Sequence, residues 1–178
     1  MLAPEKPAFE NLSLLSQGIA ILLDEEPVTV DVIISPKIMR PEWAADLVAY
    51  VALANGTPLP HRKQKDAPRA LEALQIWGCA ENLSNAAALA EGNLLARSLT
   101  VLPPNELTPA VYRTKLASLA SEHGWEMDVF DLPRLREMGA GAFVSVAQGS
   151  AAGDAAIVWL SLNPVHTQNR VALVGKGI

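Results

Sequence analysis

Apolar residues fall in short runs cut by Gly, Pro and acidic turns, and their spacing changes along the chain. Gly18 to Leu23 and Val28 to Ser35 are apolar, β-branched runs on either side of Asp24-Glu25-Glu26-Pro27, a pattern that predicts a hairpin. Pro41 opens a predicted helix to about Leu53, with Trp43, Leu47 and Val51 on one face, and Asn55-Gly56-Thr57-Pro58 ends it. Residues 59–68 are polar, basic and rich in proline, and read as a linker or exposed loop. A short helix from about Arg69 to Trp77, stopped by Gly78, is expected next.

A long helix is predicted from about Leu83 to Leu102, with Leu89, Gly92, Ala96 and Leu99 as its apolar stripe. Gly92 there suggests close packing on another backbone, and Asn93 with Arg97 reads as a solvated polar face. Pro103-Pro104 terminates this helix, and Thr108-Pro109 begins another that buries Tyr112, Leu116 and Leu119 and ends at Gly124. Trp125, Met127 and Val129 alternate with Glu126 and Asp128, the period of a strand with one buried face. Asp131 then caps a short helix carrying Leu132, Leu135 and Met138 up to Gly139. Ala142 to Ala147 is expected to be a strand, and Ala155 to Leu162 and Arg170 to Val174 read as strands covered on both faces.

This alternation predicts the α/β class. Residues 1–80 form a small α+β amino-terminal domain, and residues 81–178 a linker helix followed by the opening part of a mixed-sheet domain. A length of 178 residues, half of them hydrophobic and 19% charged, suits a packed globular protein. The net charge of -5 argues against general nucleic-acid binding, and the basic run His61-Arg62-Lys63-Gln64-Lys65 reads as a solvated loop. Cys79 is the single cysteine, so no intrachain disulfide forms, and Ile19 to Leu23 is too short to span a bilayer. A cytoplasmic protein with no membrane partner is expected.

A hydrolytic site needs a nucleophile or activated water, a proton acceptor and a charge stabiliser, and that set does not assemble from these residues. His61, His123 and His166 are scattered, Ser145 and Ser150 lack a nucleophile-elbow setting, and Asp24-Glu25-Glu26 reads as a solvated turn. The apolar run Val171 to Val174 enters Gly175-Lys176-Gly177, a strand-end turn of the kind that places ligands at the carboxyl edge of a sheet. Arg170 stands where a phosphate loop needs glycine, so that motif is excluded. Gly175 and Gly177 could open a dinucleotide fingerprint, and Lys176 taken alone reads as a solvated lysine. The chain is expected to end inside a domain.

Four motifs occur in order: Asn93-Leu94-Leu95-Ala96-Arg97; Leu102-Pro103-Pro104-Asn105-Glu106-Leu107-Thr108-Pro109; Gly139-Ala140-Gly141-Ala142-Phe143 leading to Ala147-Gln148-Gly149-Ser150; and Val171-Ala172-Leu173-Val174-Gly175-Lys176-Gly177-Ile178. From about Asn82 to Ile178 the chain resembles the leucyl aminopeptidase (cytosol aminopeptidase) family. The resemblance implies a metal-dependent exopeptidase that removes amino-terminal residues from peptides. Its centre holds two divalent ions, manganese or zinc, with Lys176 as one metal ligand. The other ligands follow further along in the family, so the 178 residues alone are expected to be inactive and to hold no metal. The resemblance also implies a homo-oligomer, a hexamer.

Only about 80 residues precede the Asn-x-x-Ala-Arg helix, fewer than in the usual family pattern, which suggests a short-headed subfamily. Two other readings remain open beside the enzyme. One is a non-catalytic oligomerisation or interaction module derived from that family, and the other is a nucleotide-binding α/β domain resting on the glycines alone.

Overall fold

The computed structural model describes residues 2–35, 37–38, 40–62, 68–79, 82–150, 152–163 and 169–176. Its contacts divide into two units, Met1–Leu102 and Pro103–Ile178. Helix and strand mix in both, as the α/β class requires.

In the first unit Leu12, Leu15, Ile19 and Leu23 recur every three or four residues, and that segment folds as helix α1 (Ala8–Leu23). The expected hairpin is thereby corrected, because Gly18 to Leu23 forms the last turns of α1, and Glu26, in the turn after it, takes a φ of 49°. Packing decides the matter. Ile19 is buried with Val51 and Ala52 of helix α2 (Pro41–Gly56), and Leu12, Leu15 and Leu23 surround them. A strand over 18–23 would send alternate side chains to opposite faces and lose half of this contact. Asn11 is fully buried because its amide pairs in both directions with Ala3, accepting from the Ala3 N–H at 3.0 Å and donating to its carbonyl at 2.9 Å. The side chain thus takes the place of a backbone partner for the segment entering α1.

Strand β1 (Thr29–Ile33) lies within the predicted run, but its partner is β2 (Ala73–Trp77), paired in parallel with Thr29 opposite Ala73 and Ile33 opposite Trp77. The helix expected from Arg69 to Trp77 is therefore corrected to a strand. Leu74 and Ile76 are half-buried while Ala73, Gln75 and Trp77 face out, the two-residue period that distinguishes the two structures. Parallel strands require a crossover, and α2 lies between them in the chain. Pairing continues past β1, where the Ile34 N–H donates to the Trp77 carbonyl at 2.8 Å. Gly78 then turns away with φ +84°, and a β-carbon there would sit 2.4 Å from the Ile34 oxygen.

Helix α2 starts at Pro41 as expected, yet its buried positions are chiefly alanines, including Ala44, Ala45, Ala49 and Ala52, while Trp43 and Leu47 stay half-buried. Helix α3 (Ser84–Thr100) packs on α2, and its buried positions are Ala86 and Ala90. The predicted stripe is corrected: Leu89 is 67% exposed, and a β-carbon at Gly92 would meet nothing within 4 Å. No close backbone accounts for that glycine.

The second unit follows its predicted punctuation closely. Thr108 caps α4 (Pro109–His123) by accepting from the Val111 N–H at 3.3 Å, and Gly124 closes it in the left-handed conformation. Strand β3 (Glu126–Asp131) pairs antiparallel with β4 (Ala156–Ser161), Glu126 opposite Ser161 and Asp131 opposite Ala156. Between them lie α5 (Leu132–Glu137), capped by Asp131 at 3.0 Å from the Arg134 N–H, and α6 (Gly141–Ala147). The strand expected at Ala142 to Ala147 is α6 instead, with the Val144 N–H returning to the Ala140 carbonyl and Ala147 buried. Two further expectations are corrected. Strand β4 is not covered on both faces, since Trp159 is 51% exposed, and Arg170 to Val174 makes no strand, Val174 being 99% exposed. Buried strands need covering layers and a ladder partner, and among the described residues nothing supplies them there.

Two glycine substitutions should move stability in opposite directions. Gly78→Ala must place its β-carbon against the Ile34 carbonyl at a positive φ, and should cost about 1–3 kcal/mol. Gly92→Ala fills open space on an exposed helix face and should gain up to about 1 kcal/mol. Urea midpoints of the two variants and the parent chain check both signs.

Candidate functional site

Lys176 lies in a stretch, residues 171–176, that is neither helix nor strand and is exposed throughout. Of the motifs preceding it, Asn93 to Arg97 sits on α3 in the first unit, whereas Leu102 to Pro109 leads into α4. Gly139, at φ +73°, ends the turn after α5, and Ala147 to Ser150 finishes α6. His61 belongs to the first unit and His123 to the second, where its ring stacks on Trp125 with centroids 5.0 Å apart. His166 lies outside the described residues, as do Lys63, Gln64 and Lys65 of the basic run. Ser145 and Ser150 are exposed, and Cys79 packs beside the Ile34, Ala44 and Ala45 cluster.

Among the described residues no group of three His, Cys, Asp or Glu side chains is placed to hold a metal ion. Lys176 offers one exposed nitrogen, and one amine does not make a binuclear centre. The residues present do not by themselves fit the metal pair that the motif order implies.

The charged geometry of the second unit centres on Arg134. Its guanidinium donates to both oxygens of Asp128, at 2.7 and 2.9 Å, and also to the Val129 carbonyl at 3.2 Å. It lies 3.9 Å from the centroid of the Phe130 ring. The hydrogen bond from Arg134 holds the Asp128 carboxyl below its ordinary range, and the same bond raises the guanidinium. At α4, Asp154 accepts from the Ala110 N–H at 3.0 Å in the first turn, so this helix has a carboxylate as well as Thr108 at its amino end.

The polar residues of α3 occupy a different setting from the solvated face expected of them. Asn93 donates to the Tyr50 hydroxyl at 3.2 Å and Arg97 to the Ala54 carbonyl at 2.7 Å. Ala86, Ala90, Asn93 and Arg97 follow each other at intervals of four, three and four, one stripe of a helix. That spacing is visible in the sequence, and the larger Leu89 and Leu99 drew the predicted stripe elsewhere. Asn93 and Arg97 also border an open surface depression of about 450 Å³ within the first unit.

Comparison with known proteins places these motifs. Residues 94–178 match the Cytosol aminopeptidase family, catalytic domain. A probable cytosol aminopeptidase of Parasynechococcus marenigrum is 38% identical over 146 residues, which is 79% of this chain and 30% of that protein. Proteins of the same description from Methylorubrum populi and a Synechococcus species are 37% and 36% identical, over 65% and 66% of this chain and 24% and 25% of theirs. The chain thus spans less than a third of the length of these relatives. The first alignment is longer than residues 82–178 and so reaches into the first unit, beyond the span of the motifs.

The Asp128 to Arg134 pair yields a pH test. A carboxyl whose folded pKa lies below its unfolded value stabilises the fold fully above the unfolded range, and that contribution is lost as pH falls through the folded value. The stability difference between the parent chain and Asp128→Asn should be present at neutral pH and close on acidification. Urea melts across the acid range measure it, and a gap that widens on acidification reverses the sign.

Proposed function

With residues 94–178 the chain belongs to the cytosol aminopeptidase family, and on that premise we propose that the whole protein removes amino-terminal residues from peptides. The observation that carries the reading is the ordered set of motifs ending at Lys176, within a segment matching that family's catalytic domain. Residues 81–178 are then a linker helix and the opening part of the catalytic domain, and residues 1–80 a small amino-terminal domain. Lys176 is one ligand in a centre of two divalent ions, manganese or zinc, whose remaining ligands are supplied outside these 178 residues. The ions would supply Lewis-acid chemistry, and this chain would supply one amine and the strand-end turn carrying it. The protein works in the cytoplasm as a homo-oligomer, a hexamer.

Exposure supports the same reading. Val171, Leu173 and Val174 form an apolar run more than four-fifths exposed, which a larger sheet would cover. That exposure also favours a second reading, a non-catalytic interaction module whose apolar residues meet a partner.

Release of an amino-terminal leucine by the whole gene product, by its Lys176→Met variant and by the 178 residues alone separates the readings. We expect a chelator-sensitive activity in the whole protein, a loss of more than about 100-fold in kcat/KM for the variant with folding intact, and none from the 178 residues. Full activity in Lys176→Met, or any in the 178 residues, overturns the assignment of Lys176. A folded whole protein that releases nothing with either metal supports the module instead.

A further inference from the structure

We infer that the trough between α1, α2 and α3 binds a small amphipathic monocarboxylate, an aromatic or aliphatic body carrying one carboxyl group. The trough is an open depression of about 450 Å³, so a small ligand lying in it would keep one side in water. Both α1 and α3 pack on α2, so Tyr50 and Val51 of α2 form its floor. Phe9 and Leu12 supply one wall and Asn93 with Arg97 the other. Phe9 is 79% exposed, leaving a whole ring beside the trough without cover. An apolar body placed there would remove that ring from water.

Charge selects the other end of the ligand. The lining, among the described residues, contains one cation, Arg97, and no Asp or Glu. Among the described residues Arg97 has no carboxylate partner, and its guanidinium donates to a neutral acceptor, the Ala54 carbonyl. That bond anchors one end of the guanidinium and leaves further N–H groups in its fork for an anion. A single positive charge balances a single negative one, so a carboxylate matches it and a phosphate dianion leaves charge uncompensated. The site lies within the first unit, and its test does not read peptidase activity.

The test titrates the full chain with hydrocinnamate, its neutral amide and phenyl phosphate, followed by amide chemical shifts of the trough residues. Saturable shifts with hydrocinnamate, and affinity at least about tenfold weaker for the amide, are expected. Arg97→Gln, which keeps an N–H for the Ala54 carbonyl, should lose about the same factor, and Ser13→Trp should block binding by filling the trough. Equal affinity for acid and amide, tighter binding of phenyl phosphate, or no saturable shift overturns the proposal. Should either variant fail to fold, the three ligands on the parent chain decide it alone.

Discussion

Close approach to α2 is the condition on which the first unit rests. A helix that buries alanines presents a shallow surface, so neighbouring backbones come nearer than leucines would allow. Each buried methyl contributes only on the order of 0.8 kcal/mol, and α2 offsets this by meeting three neighbours, α1, β2 and α3. Polar side chains bridge the seams on either side of α2. Asn93 meets Tyr50, Asn55 meets the Ser16 hydroxyl at 3.3 Å, and Arg97 meets the last turn of α2. Bulkier residues at Ala86 or Ala90 would push α3 outward and break these bonds together.

The second unit is organised differently, around caps and one antiparallel pair. Thr108, Asp154 and Asp131 satisfy the amino ends of α4 and α5, while Arg134 ties α5 back to β3 through Asp128. Apart from the Asp154 to Ala110 bond, which joins segments 44 residues apart, these bonds link residues close in sequence. They define the turns but bury little, and Trp159, Ile157 and Met138 remain well exposed. On the proposed function, further strands and helices of a larger sheet would cover those side chains.

Sequence reasoning succeeded where a single residue type has one mechanical meaning. Thr108-Pro109, Asp131 and Gly124 mark helix ends because a hydroxyl or carboxylate caps an N–H and glycine tolerates the left-handed turn. It failed where the deciding contact is distant. Gly18 to Leu23 is compatible with strand or helix until Val51 and Ala52 arrive to favour one face, and Ala142 to Ala147 is too short for either period to show. Residues 69–77 did carry the alternation of Leu74 and Ile76, but the stop at Gly78 suggested a helix end. For the site, motif order pointed to Lys176 and a family. The trough stayed hidden because its members come from three helices distant in sequence.

Arg97 shows why a polar helix face can be structural and still leave room for a ligand. The carbonyls of a helix's last turn lack intrahelical donors, and Ala54 lies in the last turn of α2. A lysine could reach that oxygen, but its three donors radiate from one nitrogen and would gather about a single point. A guanidinium spreads its donors along a planar edge, so one N–H can serve the helix end while others face open space. Among the described residues no carboxylate pairs with that half-buried cation, and its hydrogen bond goes to the neutral Ala54 carbonyl. An anion entering beside Phe9 and Tyr50 would supply that pairing, which is why the charge of the site and its apolar floor point to one class of ligand.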